Sequence, residues 1–324
     1  MPEVSVIMPA RNAAAFIGQA VRSILQQTLK DFEFIILDDA SIDGTRDVVR
    51  SCADSRIRLV ENHSCMGVAK TLNRGLELAT GTFIARMDAD DISMPDRLAK
   101  QAAFLNNDRA VGICGTWVRC FGGNGRYVLT QPTGRDCVKA YLLLGNPLAH
   151  PSVCMRASLL RTNGLKYDET LSAAQDYEFW TRCVRFMDID NIPEPLLHYR
   201  IHSASVSKNR QDKSDEYATS VVAGQLKRLD AEVSPEQISF HRRIGHGAGM
   251  ATRDELVSAE EWLRRLLKLN REKSIWPQNG LARAVGFVWF RVCHNSVGLG
   301  PWLLNYYSRS ELSRAYSPPA RDKL

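Results

Sequence analysis

The chain has 324 residues with 44% hydrophobic and 24% charged side chains, which excludes wholesale disorder and allows about two domains. Its 8 cysteines are spread thinly with none in a Cys-x-x-Cys pair, so a small disulfide scaffold and a paired-cysteine zinc site are excluded. Net charge is +6, and residues 207–324 supply all of it while residues 1–206 are balanced. That excess predicts either a solvated basic surface or a face toward an anionic partner such as a lipid surface. Acids interrupt the basic residues and no recognition motif is present, so nucleic acid is not an expected partner. No run reaches the ~18 apolar residues that span a bilayer. The Val4–Met8 run follows Glu3 and is too short for an export signal, so the expected location is cytoplasmic, at most peripheral on the cytoplasmic face of a membrane.

Strand and helix signals alternate through the first half. Val4–Met8 is an apolar run stopped by Pro9, and Phe16, Ala20 and Ile24 then recur at helical spacing. Phe32–Leu37 reads as a second buried strand ending in Asp38 and Asp39, followed by turn chemistry at Ser41, Asp43 and Gly44 and a helix through Val48 and Val49. Ile57–Val60 reads as a strand, Val68–Ala79 as a helix and Thr82–Met87 as a fourth strand, which runs into Asp88, Asp90 and Asp91. A helix over Pro95–Asn106 and a strand over Val111–Arg119 follow, then a turn at Gly122–Gly125. This alternation predicts an α/β fold with a largely parallel sheet, whose ligands bind at the C-terminal strand ends. Two successive strands there end in acid. Ser203–Asp215 reads as a polar linker or lid, and Glu260–Lys273 as an amphipathic helix.

Asp88-Ala89-Asp90 is an Asp-x-Asp at a strand exit, an arrangement that suits a hard divalent cation sharing its shell with phosphate oxygens. Alone it is a weak signal. Its setting is specific: Asn62, Gly67, Asn73, Gly75, Ala79 and Gly81 lead into Phe83–Asp91, after Val4–Pro9 and Asp38–Thr45. With Asn146, His150-Pro151-Ser152, Gln175–Trp180 and the Tyr199, Arg200, His202 and Ser205 set, this ordered series strongly resembles the family 2 glycosyltransferases over residues 3–206.

The resemblance implies a GT-A (Rossmann-like, nucleotide-sugar-binding) domain over 1–206, followed by a basic, mostly helical extension over 207–324. It implies that Asp39 accepts from the nucleotide base, that Asp88 lies near the ribose, and that Asp90 and His202 hold a divalent cation, Mn or Mg. Pro9 and Arg11 fall at the nucleotide; Arg11 stands where the family often has a stacking tyrosine, and its guanidinium plane offers a substitute face. Lys70 is a candidate for the base or phosphates and equally a surface bystander. Asp176 is implied as the general base that deprotonates an acceptor hydroxyl, with inversion at the anomeric carbon. Gln175 stands where an acid often precedes that base. Trp180, four residues on, shares its helical face and is a candidate acceptor-stacking residue as well as a core residue. The implied partners are a UDP-sugar donor and a saccharide or lipid-linked saccharide acceptor, in surface polysaccharide or glycolipid synthesis. Two alternatives stay open: a nucleotidyltransferase making an activated sugar, and a catalytically silent binding module.

In the last third, Ala284–Phe290 and Trp302–Tyr307 are aromatic-rich and flanked by Arg283, Arg291, Arg309 and Arg314. Such mixtures suit an anionic membrane surface, and equally suit helices packed on the rest of the protein.

Overall fold

The computed structural model describes residues 1–123, 125–202 and 211–317. The chain forms two compact units, Met1–Gln131 with Leu148–Asp215, and Pro132–Pro147 with Glu216–Leu324. This differs from a single cut at 206: the boundary falls after Asp215, and a short segment of the first half belongs with the C-terminal third. The linker expected over 203–215 is helical from Gln211 onward, and Ser203–Arg210 lie outside the described residues, as does Asn124 of the expected turn.

In the first unit, β1 (Val4–Ala10), β2 (Phe32–Asp38) and β4 (Phe83–Arg86) are almost wholly buried, the pattern of strands covered on both faces. They run parallel with β3 (Ile57–Glu61), and the connections contain α1 (Ile17–Leu25), α2 (Thr45–Arg50) and α3 (Val68–Leu78). After β4 come β5 (Ile92–Ser93), α4 (Arg97–Asn107), β6 (Val111–Phe121) and β7 (Tyr127–Leu129). Then, past the excursion into the second unit, come β8 (Cys154–Arg156), α6 (Ala157–Thr162), α7 (Gln175–Cys183) and β9 (Asp188–Arg200). The sheet order is β3-β2-β1-β4-β8-β6-β9-β5, with β7 also paired to β6. β8 is antiparallel to both β4 and β6, whereas β9 runs parallel to β6 along most of its length. The two-residue β5 pairs Ile92 with His198 of β9. That short ladder stitches the chain just past Asp91 to the strand that ends in Arg200.

The second unit is helical, with α5 (Arg135–Tyr141), α8 (Gln211–Arg228, which carries the boundary), α9 (Pro235–Gly245), α10 (Arg253–Lys273), α11 (Gln278–His294) and α12 (Trp302–Arg309). α10 begins earlier than its amphipathic pattern indicates, because the Thr252 side chain caps it by accepting from the Glu255 N–H at 3.1 Å. Its Leu256, Trp262, Leu263 and Leu266 are buried. α11 lies against α5, α9, α10 and the 3-10 turn Glu311–Ala315, with Val285, Phe287, Val288, Trp289 and Phe290 buried. The Ala284–Phe290 stretch is therefore corrected from a lipid-facing candidate to the core of this unit. A Cβ on Gly245 would run into the Leu144 carbonyl, so only glycine lets α9 approach the end of α5.

His241 is fully buried in this core. Trp262 Nε1 donates to its Nδ1 at 2.9 Å, which leaves Nε2 to donate to the Leu143 carbonyl at 2.8 Å. Burial pulls its pKa down to about 4, against a bond to Leu143 that raises it. Above the unfolded value of 6.5 both states are neutral; below it the unfolded chain takes up a proton that folded His241 refuses until about 4. Stability is thus expected to fall as pH drops through that window, by up to about 3 kcal/mol. Thermal unfolding from pH 7 to pH 4 checks this, and His241→Gln should flatten the slope whatever it does to absolute stability.

Candidate active site

Parallel strands deliver the exits of β1, β2, β3 and β4 to one edge of the sheet. At the β2 exit the Asp39 N–H donates to the Ala10 carbonyl at 2.8 Å, which holds Asp39 beside the β1 exit. The Asp39 carboxylate accepts from Asn62 Nδ2 (2.9 Å), the N–H groups of Met66 (2.8 Å) and Gly67 (3.0 Å), and the Cys65 thiol (3.5 Å). Burial alone would raise its pKa; the bonds from Asn62, Met66 and Gly67 outweigh burial and hold it below the usual carboxylate range. Gly67 reaches this position at φ +85°, which strains any L side chain. Arg11 donates to Cys65 Sγ, so Arg11 and Asp39 share a neighbour. Pro9 stands in register with Leu37, one residue short of the β1 end. Lys70 is exposed on the first turn of α3, and its ammonium makes no hydrogen bond or ion pair among the described residues.

The second cluster forms where β4 exits. Asp88, Asp90 and Asp91 each offer an oxygen, and these atoms lie within 4.8 Å of one another. Arg86, itself almost fully buried, clamps Asp88 through two bonds of 3.1 and 2.6 Å. Burial raises the Asp88 pKa against Arg86, with Asp90 and Asp176 adding to the rise. Asp91 is pushed well up by burial and by its two acidic neighbours. Its Oδ1 accepts the Arg200 N–H at 2.8 Å, while its Oδ2 is buried with no hydrogen-bond partner among the described residues. Asp90 Oδ2 lies 2.8 Å from His202 Nε2, and the Phe16 ring rests 4.8 Å from the His202 ring. Hard carboxylate oxygens joined by one imidazole, with a buried oxygen still unpartnered, form a donor set that fits Mg²⁺ or Mn²⁺.

Asp176 lies in the first turn of α7, where the helix dipole favours an anion, and its field reaches both Asp88 and Tyr167. The preceding Ala174 caps the helix at φ +53°. Thus Asp88, Asp90, His202 and Asp176 come together around one acidic group, and Arg11 and Asp39 form a second, beside it along the strand exits. Trp180 joins neither and is a correction: it is 0% exposed, with its ring edge-on to His150 at 5.9 Å and beside Phe179. No face of it is open to a sugar. Apolar packing inside the unit has claimed that side of α7.

Sequence reasoning assigned no role to three arginines that organise the cluster. Arg86 lies in the quoted strand, two residues before Asp88. Arg97 is fully buried at the start of α4, donating to the carbonyls of Arg86 (3.0 Å) and Pro151 (3.1 Å), and burial lowers it to about 10. Arg200 donates to the Asp90 carbonyl at 2.7 Å and to Gln19 at 2.7 Å, its guanidinium lying between Phe16 (4.8 Å) and Phe121 (4.5 Å). The signal for Arg200 was its place two residues before His202. Asn73 was quoted without a role; it accepts from the Tyr167 N–H at 2.8 Å and donates to the Tyr167 carbonyl at 2.9 Å, fixing the loop ahead of α7.

This sheet, with its carboxylates at parallel strand ends, has the arrangement of a nucleotide-binding α/β domain. The family model described as Glycosyl transferase family 2 matches residues 5–162. An uncharacterized glycosyltransferase of Methanocaldococcus jannaschii is 33% identical over 225 residues, covering 67% of this chain and 77% of that protein. The Escherichia coli UDP-Glc:alpha-D-GlcNAc-diphosphoundecaprenol beta-1,3-glucosyltransferase WfaP is 28% identical over 215 residues, 65% of this chain and 82% of WfaP. The Pyrobaculum calidifontis mannosyltransferase PcManGT, solved with GDP-Man and Mn²⁺, shares the fold at a TM-score of 0.57 and 20% identity, over 97% of this chain and 85% of that one. The chain belongs to glycosyltransferase family 2.

Arg200→Ala would remove a two-ring sandwich and the bond to the Asp90 carbonyl together. It is expected to destabilise the first unit by about 2 kcal/mol, read as a lower urea midpoint with an unchanged slope.

Proposed function

We propose that the protein transfers a sugar from a UDP-sugar to a hydroxyl of a saccharide or lipid-linked saccharide, with inversion at the anomeric carbon and with a divalent cation. The observation that carries this reading is the convergence, on one sheet edge, of Asp39 in its cage of N–H donors with the Asp88, Asp90, Asp91 and His202 group and Asp176. Support also comes from WfaP, named for a UDP-Glc donor and a diphosphoundecaprenol acceptor, and from PcManGT with its Mn²⁺. Surface polysaccharide or glycolipid assembly, on the cytoplasmic side of a membrane, follows from the same reading.

Asp39 accepts the imide N–H of uracil in place of the Cys65 thiol, the longest of its four bonds at 3.5 Å. Arg11, already beside Cys65, covers the base with its guanidinium plane. Pro9 shapes the floor at the β1 exit, Lys70 approaches the phosphates from α3, and Asp88 receives the ribose while Arg86 fixes its carboxylate. Asp90 and His202 are the residues that would hold the cation, whose charge would offset the charge growing on the departing diphosphate. Asp176 removes the proton of the acceptor hydroxyl as its oxygen bonds to the anomeric carbon. The bond from that carbon to the diphosphate oxygen breaks in the same displacement, its electron pair leaving with UDP. One displacement on the face opposite the leaving group inverts the centre.

Release of UDP from a panel of UDP-sugars, measured with and without Mn²⁺ or Mg²⁺, tests this. Asp90→Ala is expected to lower metal-dependent release by about 100-fold or more, and Asp176→Asn to lower transfer to an added acceptor by about 10²–10⁴-fold. Turnover of GDP-sugars alone overturns the uracil assignment. Release of pyrophosphate from a nucleoside triphosphate and a sugar phosphate would instead identify a nucleotidyltransferase.

A further inference from the structure

α3 packs on β1 and β2, with Gly75 facing the side chains of Ile7 and Leu37. Its start builds the Asp39 cage. The Gly67 N–H donates to the carboxylate at 3.0 Å, and the Asn62 carboxamide bridges Asp39 at 2.9 Å and Thr71 Oγ1 at 3.1 Å. Asn73 follows Thr71 by two residues, about 200° around the helix axis. It is 3% exposed and spends its carboxamide on one distant segment. Oδ1 accepts the Tyr167 N–H at 2.8 Å, and Nδ2 donates to the Tyr167 carbonyl at 2.9 Å and to Glu169 Oε1 at 3.0 Å. Both Nδ2 hydrogens are therefore in use.

Tyr167 carries that hold on to α7. Its buried ring lies 4.4 Å from the Phe179 ring, and its hydroxyl lies 2.9 Å from Nε2 of buried His150, whose ring meets Trp180 edge-on at 5.9 Å. Phe179 and Trp180 stand one turn along α7 from Asp176. Burial lowers the His150 pKa well below its usual value and raises that of Tyr167, so both are neutral and their bond adds no charge beside the acidic group. The start of α7 has little local support. No side chain caps it, and Ala174 at its N-cap stands at φ +53°, a strained angle for alanine. Packing on Phe179 and Trp180 supplies support that a cap does not.

We infer that Asn73 and Tyr167 are positioning residues for the transfer: they tie α7, and with it Asp176, to the helix that builds the Asp39 cage. The inference rests on the role proposed for Asp176 and adds what sets its place relative to the bound donor. A base is sensitive to its place, since a displacement of about 1 Å costs on the order of 10²-fold in rate. Asn73 and Tyr167 make no bond to Asp39, so their loss acts on the transfer step and leaves nucleotide binding alone.

The test compares full-length wild type, Asn73→Ser, Tyr167→Phe, Asp176→Asn and the Tyr167→Phe, Asp176→Asn double variant. Tyr167→Phe keeps the ring on Phe179 and removes only the bond to His150, so it decides the matter should Asn73→Ser fail to fold. Asn73→Ser is expected to lower kcat for transfer by about 10²-fold and Tyr167→Phe by about tenfold, each with UDP affinity within about twofold of wild type. In the Asp176→Asn background Tyr167→Phe should cost nothing further, because its effect runs through that carboxylate. Amide exchange, read without donor or acceptor, should quicken over residues 165–178 in Tyr167→Phe and stay unchanged over residues 60–67. Independent losses in the double variant, kcat and UDP affinity falling together, or exchange over 165–178 unaltered by Tyr167→Phe each overturn the inference. Quickened exchange in a protein whose wild type transfers no sugar would instead fault the transferase reading and leave the tie between α3 and α7 standing.

Discussion

Like charges crowded at one strand exit must be held against their own repulsion, and the first unit is organised around that requirement. Asp88, Asp90 and Asp91 leave β4 together; Asp90 raises the cost of ionising Asp88, and both raise it for Asp91. Arg86 clamps one of them from the strand itself. Arg97 braces the Arg86 carbonyl from α4 without touching a carboxylate, and its own charge is carried in a fully buried position. Arg200 arrives from the far end of the sheet, bonded to the backbone of Asp90 and to the side chain of Asp91. The pairing of β5 with β9 and of β9 with β6 exists at this point to deliver that arginine and His202.

The Asp39 group works in the opposite sense. Asp39 is over-supplied with donors, so its charge is stabilised before any ligand arrives. Two backbone N–H groups and a carboxamide hold it rigidly, and the thiol is the weakest of its partners. One edge of the sheet thus presents an anion pre-satisfied by the protein beside a group of anions left in need of positive charge. In the proposed reaction that contrast would separate recognition of a base from holding of the cation, using the same residue type for both.

Much of this was legible in the chain. β1, β2 and β4 each appear as short apolar runs, because strands buried on both faces have no alternation to blur them. The acids at their ends could be placed on one edge from the parallel order alone. The harder features depend on long-range contacts. Nothing local tells that Arg200 lies between Phe16 and Phe121, since both rings lie far from it in sequence. Trp180 has the spacing of a site residue, yet packing with His150 and Phe179 decides its fate. Ala284–Phe290 carries a composition that fits either lipid or core, and only the presence of α5 settles the matter.

The excursion through Pro132–Pro147 interleaves the two units along the chain. Tyr141 donates to a carbonyl at Gly245, 104 residues later, and the Leu143 carbonyl waits for His241. During synthesis, α5 emerges well before the helices that cover it exist, so its apolar residues Val138, Tyr141 and Leu142–Leu144 meet solvent or chaperone first. A ribosome that stops after Asp215 would release a sheet domain with an orphaned hydrophobic loop. The protein is therefore a poor subject for modular shuffling: its C-terminal helices are spliced into the catalytic sequence, and evolution can exchange them only together with that loop.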